Sequence, residues 1–219
     1  EKAVDAEQAQ RLGNPLHFDD RISITENHEI RSVRASWETA LRSPNRAVTM
    51  ISYALVHAVT GHDPRGYHAA GFALHAVMSG MVGALAFRLA GSSMAAGVLG
   101  FGLFLLHPLN SEAVLYISSR PDLLGALFGI GAAWALLRWA DEAVQGTPRL
   151  AVRVRWAVLA GAFTLLAWFS KESAVMGWWL GLLLAGWRLS QARSRGRLWG
   201  LLCLVSVLGM LGLAAVPLL

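Results

Sequence analysis

The chain has one cysteine in 219 residues, Cys203, set inside an apolar run. An intramolecular disulfide is therefore excluded, and cysteine usage says little about compartment. Charge is scarce too: Asp, Glu, Lys and Arg make up 15% of the chain, against about 25% in a soluble domain. With 55% hydrophobic residues and a mean hydropathy of +0.46, the composition is that of an integral membrane protein. Acidic residues nearly vanish from the larger part. Residues 67–219 hold eleven Lys/Arg and five Asp/Glu, while residues 1–66 hold eight and nine. The pI near 10.1 thus comes from arginines lying between apolar stretches. Aromatics and arginines do not alternate as they do on a base-stacking surface, which argues against a nucleic-acid partner. Repeats of about 34 residues are absent, as are the paired broken helices or inverted repeats of a transporter. No compact ligand spacing supports zinc. Glu1 to Asp20 is polar throughout, so no cleavable signal peptide is expected at residue 1.

What is present divides into a polar arm, 1–66, and an apolar region, 67–219. In the arm, Ser32 to Leu41 reads as a short helix stopped near Pro44. Arg46 to Val59 carries Val48, Ile51, Leu55 and Val59 at helical spacing, and Thr60-Gly61-His62-Asp63-Pro64 breaks it. A helix of about 14 residues with one apolar face is too short to span and is expected in the interface plane. Six hydrophobic stretches follow, at about 67–88, 93–107, 122–139, 155–170, 173–189 and 198–219. The expected fold is all-α: a polytopic bundle of about six transmembrane helices with an external polar arm.

Lys/Arg placement sets the orientation. Alternate connections carry Arg88, then Arg138, Arg149, Arg153 and Arg155, then Arg188, Arg193, Arg195 and Arg197, against only Asp141 and Glu142. The remaining connections hold Arg120 and Lys171 against Glu112, Asp122 and Glu172. The basic loops are expected to be cytoplasmic, with the arm, the 108–121 loop and the 170–172 turn on the opposite side. Gly125-x-x-x-Gly129 and Gly177-x-x-x-Gly181 allow close helix approach. The tryptophans fall mostly near span ends, where an aromatic belt anchors the protein.

Four segments on the non-cytoplasmic side concentrate chemistry: His17-Phe18-Asp19-Asp20 with Asn27 and His28; Tyr67-His68 with His75; His107 to Val114 with Ser119-Arg120-Pro121-Asp122; and Ser170-Lys171-Glu172-Ser173. Each has a plain structural explanation. Asp19 and Asp20 read equally well as a solvated turn or as a site. His68 and His75, seven apart on one helix face, are more often hydrogen-bonded inside a bundle than catalytic. Glu112, Arg120 and Asp122 form an interfacial ion network on the plain reading, and Lys171-Glu172 a hairpin cap. Ionisable groups at membrane depth are nonetheless functional-site candidates, and several converge on one side here.

Taken in order, Phe18-Asp19-Asp20 with Asn27, Tyr53-Ala54-Leu55, Gly61-x-Asp63-Pro64-x-Gly66-Tyr67-His68 with His75, His107-Pro108-x-x-Ser111-Glu112-Ala113-Val114, Ser119-Arg120-x-Asp122-Leu123-Leu124 and Ser170-Lys171-Glu172 resemble one family. It is the membrane region of the transmembrane and tetratricopeptide-repeat O-mannosyltransferases and their bacterial relatives, of the GT-C class. The resemblance covers roughly residues 17–190. It implies transfer of a sugar from a polyprenyl-phosphate donor to an acceptor hydroxyl on a protein or glycan. Asp19 or Asp20 would be the general base, within hydrogen-bond reach of the acceptor. Arg120 and Lys171 would bind the donor phosphate. His107, Glu112, Asp122 and Glu172 would support the site from the external loops, and His68 would line the donor pocket. A divalent cation is a candidate cofactor, with Asp19 and Asp20 as its ligands if one is used.

The resemblance also implies a location, the bacterial inner membrane with the acidic motif on the periplasmic side, or the ER membrane in a eukaryote. It implies a transmembrane helix just before the acidic motif, where Glu1 to Leu16 is polar instead. The expectation from this, and from an end inside the apolar run at Leu218-Leu219, is part of a longer protein or a reduced relative. The alternative function is a non-catalytic, GT-C-derived accessory subunit of a larger membrane complex.

Overall fold

The computed structural model describes residues 20–42, 44–145 and 150–191. Every regular element of the described chain is a helix, with no strand among the described residues. It divides into two compact units, Glu1–Leu127 with Leu166–Ala174 and Phe128–Leu165 with Val175–Leu219.

In the first unit, Asp20 leads into a π-helical turn, Arg21–Thr25, and a 3-10 turn, His28–Arg31. Asn27 caps the second turn, its side-chain oxygen accepting from Glu29 N at 3.0 Å. Helix α1, Val33–Arg42, is joined to this turn by Ser36 Oγ, which donates to Glu29 O at 2.8 Å. Helix α2, Ala47–Thr60, forms where the spacing of Val48, Ile51, Leu55 and Val59 predicts a helix. It buries Thr49, Tyr53 and Ala54 and leaves Leu55 and Val59 exposed, so one face packs within the protein and the other presents apolar side chains outward. The helix ends at Gly61, whose φ of +60° is costly for any residue with a Cβ.

Asp63 caps helix α3, Pro64–Leu89, accepting from Arg65 N at 3.0 Å, and Pro64 fills the first turn, where a missing N–H costs nothing. Helix α4, Met94–Leu106, returns against α3. The pair approaches closely because Gly83, Gly97 and Gly100 lack side chains. A Cβ on Gly83 would lie 2.8 Å from Gly97 O, and one on Gly100 2.7 Å from the Ala86 Cβ. Beyond α4 the chain bends by 50° into Pro108–Leu115, which includes helix α5, Ser111–Leu115. Asn110 Nδ2 donates to Phe104 O at 2.7 Å, giving a partner to a carbonyl freed at the bend.

A 3-10 turn, Ile117–Ser119, leads into α6, Arg120–Val144, and α7 is Leu150–Trp168. After a 3-10 turn, Glu172–Val175, α8 covers Met176–Ser190. In the second unit the later part of α6 meets α8 through small residues. A Cβ on Gly177 would collide with the backbone of Gly129, and one on Gly181 would lie 2.7 Å from Ala133 Cα. Ala135, Ala140, Ala143, Ala160, Leu182, Ala185 and Leu189 fill the core around that contact. Asp141, buried at 4% exposure, accepts from Arg188 Nε at 2.7 Å.

Three helices are long and apolar enough to cross a membrane, Pro64–Leu89, Ile117–Val144 and Leu150–Trp168, or four if the bent Met94–Leu115 segment counts as one span. This is fewer than six among the described residues. The stretch at 173–189 spends its first residues on a 3-10 turn, leaving α8 at 15 residues, short of the roughly 20 a span needs. The stretch at 198–219 and Cys203 lie outside the described residues.

Candidate functional site

The turn between α5 and α6 collects the long-range polar contacts of the first unit. Ser118 N donates to Asp20 Oδ1 at 2.7 Å across 98 residues of sequence. Tyr53 Oη, from α2, donates to Ile117 O at 2.6 Å. Tyr67, in the first turn of α3, donates its hydroxyl to Gly61 O at 3.1 Å, and its own carbonyl accepts from Arg120 Nη2 at 2.8 Å. The Arg120 guanidinium lies over both phenol rings, 4.8 Å from the Tyr53 centroid and 5.6 Å from that of Tyr67. Ile24, Ile30 and Ile117 close around the two tyrosines, with Met50 and Val56 packed alongside.

This cluster is deep. Asp20 is 0% exposed and Arg120 2%. In so dry a setting the electron-rich ring faces and a carbonyl oxygen partly replace the water a guanidinium gives up. Tyr53 is held as the neutral phenol. Burial pushes its pKa up well beyond the ordinary tyrosine value, Asp20 pushes the same way, and Arg120 opposes without winning. The phenol therefore remains a hydrogen-bond donor at any physiological pH.

A second group lies where α7 ends. Lys171 Nζ forms an ion pair with Asp122, two residues along α6 from Arg120. The 169–171 turn is bound to the start of α2, with Val48 N donating to Phe169 O at 3.1 Å and Thr49 Oγ1 to Ser170 O at 3.2 Å. A Cβ on Gly125 would lie 2.7 Å from the Ala174 Cβ, so the first turns of α6 and this segment touch. The α2 helix thus touches both groups from one face, through Tyr53 and, a turn earlier, Thr49.

Of the residues singled out in sequence, Asp20 and Arg120 come together around Tyr53 and the 117–120 turn, and Asp122 and Lys171 come together beside them. The plain reading of Glu112, Arg120 and Asp122 as one ion network is not what forms: Asp122 pairs with Lys171, and Arg120 is taken up by the tyrosines. His107 serves its own turn, its Nδ1 accepting from Leu109 N at 3.2 Å. Glu112 and Glu172 are exposed in the first turns of their short helices. His68 is buried on α3, as is His75, whose Nε2 lies 3.2 Å from Leu105 O. Asp19 lies outside the described residues. Among the described residues, no three His, Cys, Asp or Glu side chains gather to hold a metal. Sequence reasoning gave no role to Tyr53 or Tyr67. The available signal was scarcity: the chain has three tyrosines, and two of them flank Arg120.

No family model matches the chain, and no solved structure does. Among curated proteins, it is 32% identical over 120 residues to the protein O-mannosyl-transferase Tmtc1 of Drosophila melanogaster, covering 48% of this chain and 14% of that protein. Over 83 residues it is 32% identical to the protein O-mannosyl-transferase TMTC2 of mouse and of human, covering 38% of this chain and 10% of each. The chain therefore spans about a seventh or less of the length of these relatives, and its similarity to them is confined to that portion.

Proposed function

We propose that the chain carries part of a membrane glycosyltransferase of the GT-C kind, moving a mannose-like sugar from a polyprenyl-phosphate donor to an acceptor hydroxyl on the non-cytoplasmic face. The observation that carries this reading is the meeting of Asp20 and the 117–120 turn, two segments far apart in sequence, around a buried tyrosine pair and an arginine. In the proposed reaction an Asp20 oxygen takes the proton of the acceptor hydroxyl as the hydroxyl oxygen attacks the anomeric carbon, and the bond from that carbon to the polyprenyl phosphate breaks. A base of this kind contributes by proton transfer in the transition state. Arg120 and Lys171 supply positive charge for the departing phosphate, and a guanidinium suits phosphate oxygens geometrically. Asp122 holds Lys171, and His68, His107, Glu112 and Glu172 are supporting residues. Asp19 is a second carboxylate for the base, or for a divalent cation. The proposed organisation is an external arm, 1–66, and a bundle, 67–219, of up to six spans.

The membrane context rests on the apolar helices. The proposed sidedness rests on the arginine-rich connections and places the acidic motif in the periplasm of a bacterium. The proposed acceptor is a protein, as for the protein O-mannosyl-transferases the chain is similar to, or a glycan.

One observation favours the second reading, an accessory subunit that no longer transfers sugar. Asp20 and Arg120 are both nearly inaccessible and both engaged with backbone groups, as structural residues are. Full-length protein in lipid nanodiscs, given mannosyl polyprenyl phosphate or a nucleotide-mannose with acceptor peptides, separates the two. The glycosyltransferase reading expects sugar incorporation from the lipid-linked donor alone. No incorporation from either donor leaves the accessory role.

A further inference from the structure

In the second unit, arginines and indoles interlock where α6 ends and α7 begins. Arg138 of α6 lies 5.2 Å from the ring centroid of Trp156 on α7, and Arg153 of α7 lies 5.6 Å from that of Trp139 on α6. Arg155 reaches the Trp156 ring as well, at 4.9 Å. Each helix thus lays an arginine on a tryptophan of the other. Two donors in this cluster, Arg153 Nε and Trp156 Nε1, are buried and find no hydrogen-bond acceptor among the described residues. Both atoms can only donate, so the group that would complete them is an acceptor. Of the nearby carboxylates, Asp141 pairs with Arg188 at 2.7 Å and Glu142 with Arg138 of the cluster at 3.8 Å, and neither accepts from these two donors. Against these two acids stand Arg138, Arg153, Arg155 and Arg188, so this end of the unit is cationic.

The neighbouring surface says where the acceptor comes from. Leu150, Val154 and Val158, four residues apart on α7, form an exposed apolar stripe leading away from the cluster. Only 11% of the most apolar window of α7 is buried within the protein, so this helix face is left for lipid. Arginine and tryptophan at the end of a span lie at headgroup level.

We propose that the α6–α7 end of this unit binds the phosphate of an anionic phospholipid. The headgroup oxygens accept from Arg153 Nε and Trp156 Nε1 once the partly exposed guanidinium of Arg138 or Arg155 turns aside, and an acyl chain lies along Leu150, Val154 and Val158. Planar guanidinium groups match phosphate oxygens, and basic pockets between spans recognise charged headgroups. The site uses none of the residues assigned to sugar transfer and stands whether or not the chain is an enzyme.

Lipid retention by the full-length protein tests it. The protein is purified in detergent with equimolar phosphatidylglycerol and phosphatidylcholine, and bound lipid is counted by native mass spectrometry. The wild type is expected to prefer phosphatidylglycerol by about tenfold, the scale of one or two arginine–headgroup contacts. Trp156→Phe keeps the ring under Arg138 but removes the N–H, and a drop of about threefold in preference is expected, the loss of one hydrogen bond. Arg138→Gln with Arg153→Gln should leave no preference; if that pair fails to fold, Trp156→Phe carries the test. Inorganic phosphate at millimolar concentration should not displace the lipid, because it has no acyl chain for the apolar stripe. Equal retention of the two lipids by the wild type overturns the proposal, as does a preference unchanged in Trp156→Phe. Displacement by inorganic phosphate alone overturns the lipid as the source.

Discussion

The two units bury arginine in opposite ways. In the first, Arg120 is enclosed at 2% exposure, donates to a carbonyl and lies on two phenol rings whose hydroxyls are themselves hydrogen-bonded. In the second, Arg138, Arg153 and Arg155 stay at a helix end on indole faces, and two donors there lack an acceptor among the described residues. The first cluster is enclosed and held by contacts distant in sequence, the second partly exposed at a helix end and held by the adjoining helices α6 and α7. A satisfied polar cluster fixes one backbone arrangement, whereas buried donors without an acceptor mark a place where a further partner would be stabilised. The helices beneath them differ in the same sense. Side-chain-to-backbone bonds organise the first unit around α2, beside the glycine contacts of α3 and α4, while glycine and alanine contacts pack α6 against α8 in the second.

The sharpest way to break the contrast is to add volume in the second unit. Gly177→Val places a branched side chain against the backbone of Gly129 and should cost about 3 kcal/mol, seen as a lowered melting temperature or loss of monodisperse protein. The corresponding polar deletion in the first unit is Tyr53→Phe. It leaves the buried Ile117 carbonyl without its donor and should cost about 1–3 kcal/mol in chemical denaturation. Asp141→Asn weakens the ion pair with Arg188. Because Arg188 is about a third exposed and can reach water, about 1 kcal/mol is expected in the same assay rather than the larger penalty of a fully buried pair.

Alkaline pH gives a gentler probe of the closed cluster. The folded protein holds the Tyr53 proton more tightly than the unfolded chain does, so its contribution is complete below the ordinary tyrosine value of about 10 and declines as pH rises above it. Melting curves above that pH should fall more steeply for the wild type than for Tyr53→Phe. Lys171→Ala should do least to stability. Its pair with Asp122 is partly exposed, and a loss below about 1 kcal/mol is expected.

Much of the helical layout was legible because its signals are local. Val48, Ile51, Leu55 and Val59 mark α2, Gly61 stops it, and Asp63-Pro64 starts α3. The Gly177 and Gly181 spacing pointed to a close helix contact, which α6 and α8 make. Span number was harder to read, because hydropathy does not show that the stretch at 173–189 gives its first turn to a 3-10 segment. The candidate site was half legible. Asp20 stood out as one of two adjacent carboxylates on a polar arm and Arg120 as one of two cations in the outward connections, but their meeting depends on Tyr53 and on the backbone of Ile117 and Ser118, and backbone partners leave no residue-type signal. Tyr53 itself reads as one more apolar residue in an amphipathic helix. The Lys171–Asp122 pair joins residues 49 apart, a distance across which periodicity carries no information.

The central claim is that the closed cluster of the first unit is a site for chemistry and more than a fold lock, and Asp20→Asn tests it most directly. Asparagine keeps an oxygen to accept from Ser118 N, so the fold should survive, but it cannot take a proton. Full-length wild type and Asp20→Asn are compared for sugar transfer from mannosyl polyprenyl phosphate, with melting recorded on the same preparations. The account predicts a near-native melting temperature and transfer lowered by about 100-fold or more, the loss of a general base. Equal transfer by the two proteins would contradict it.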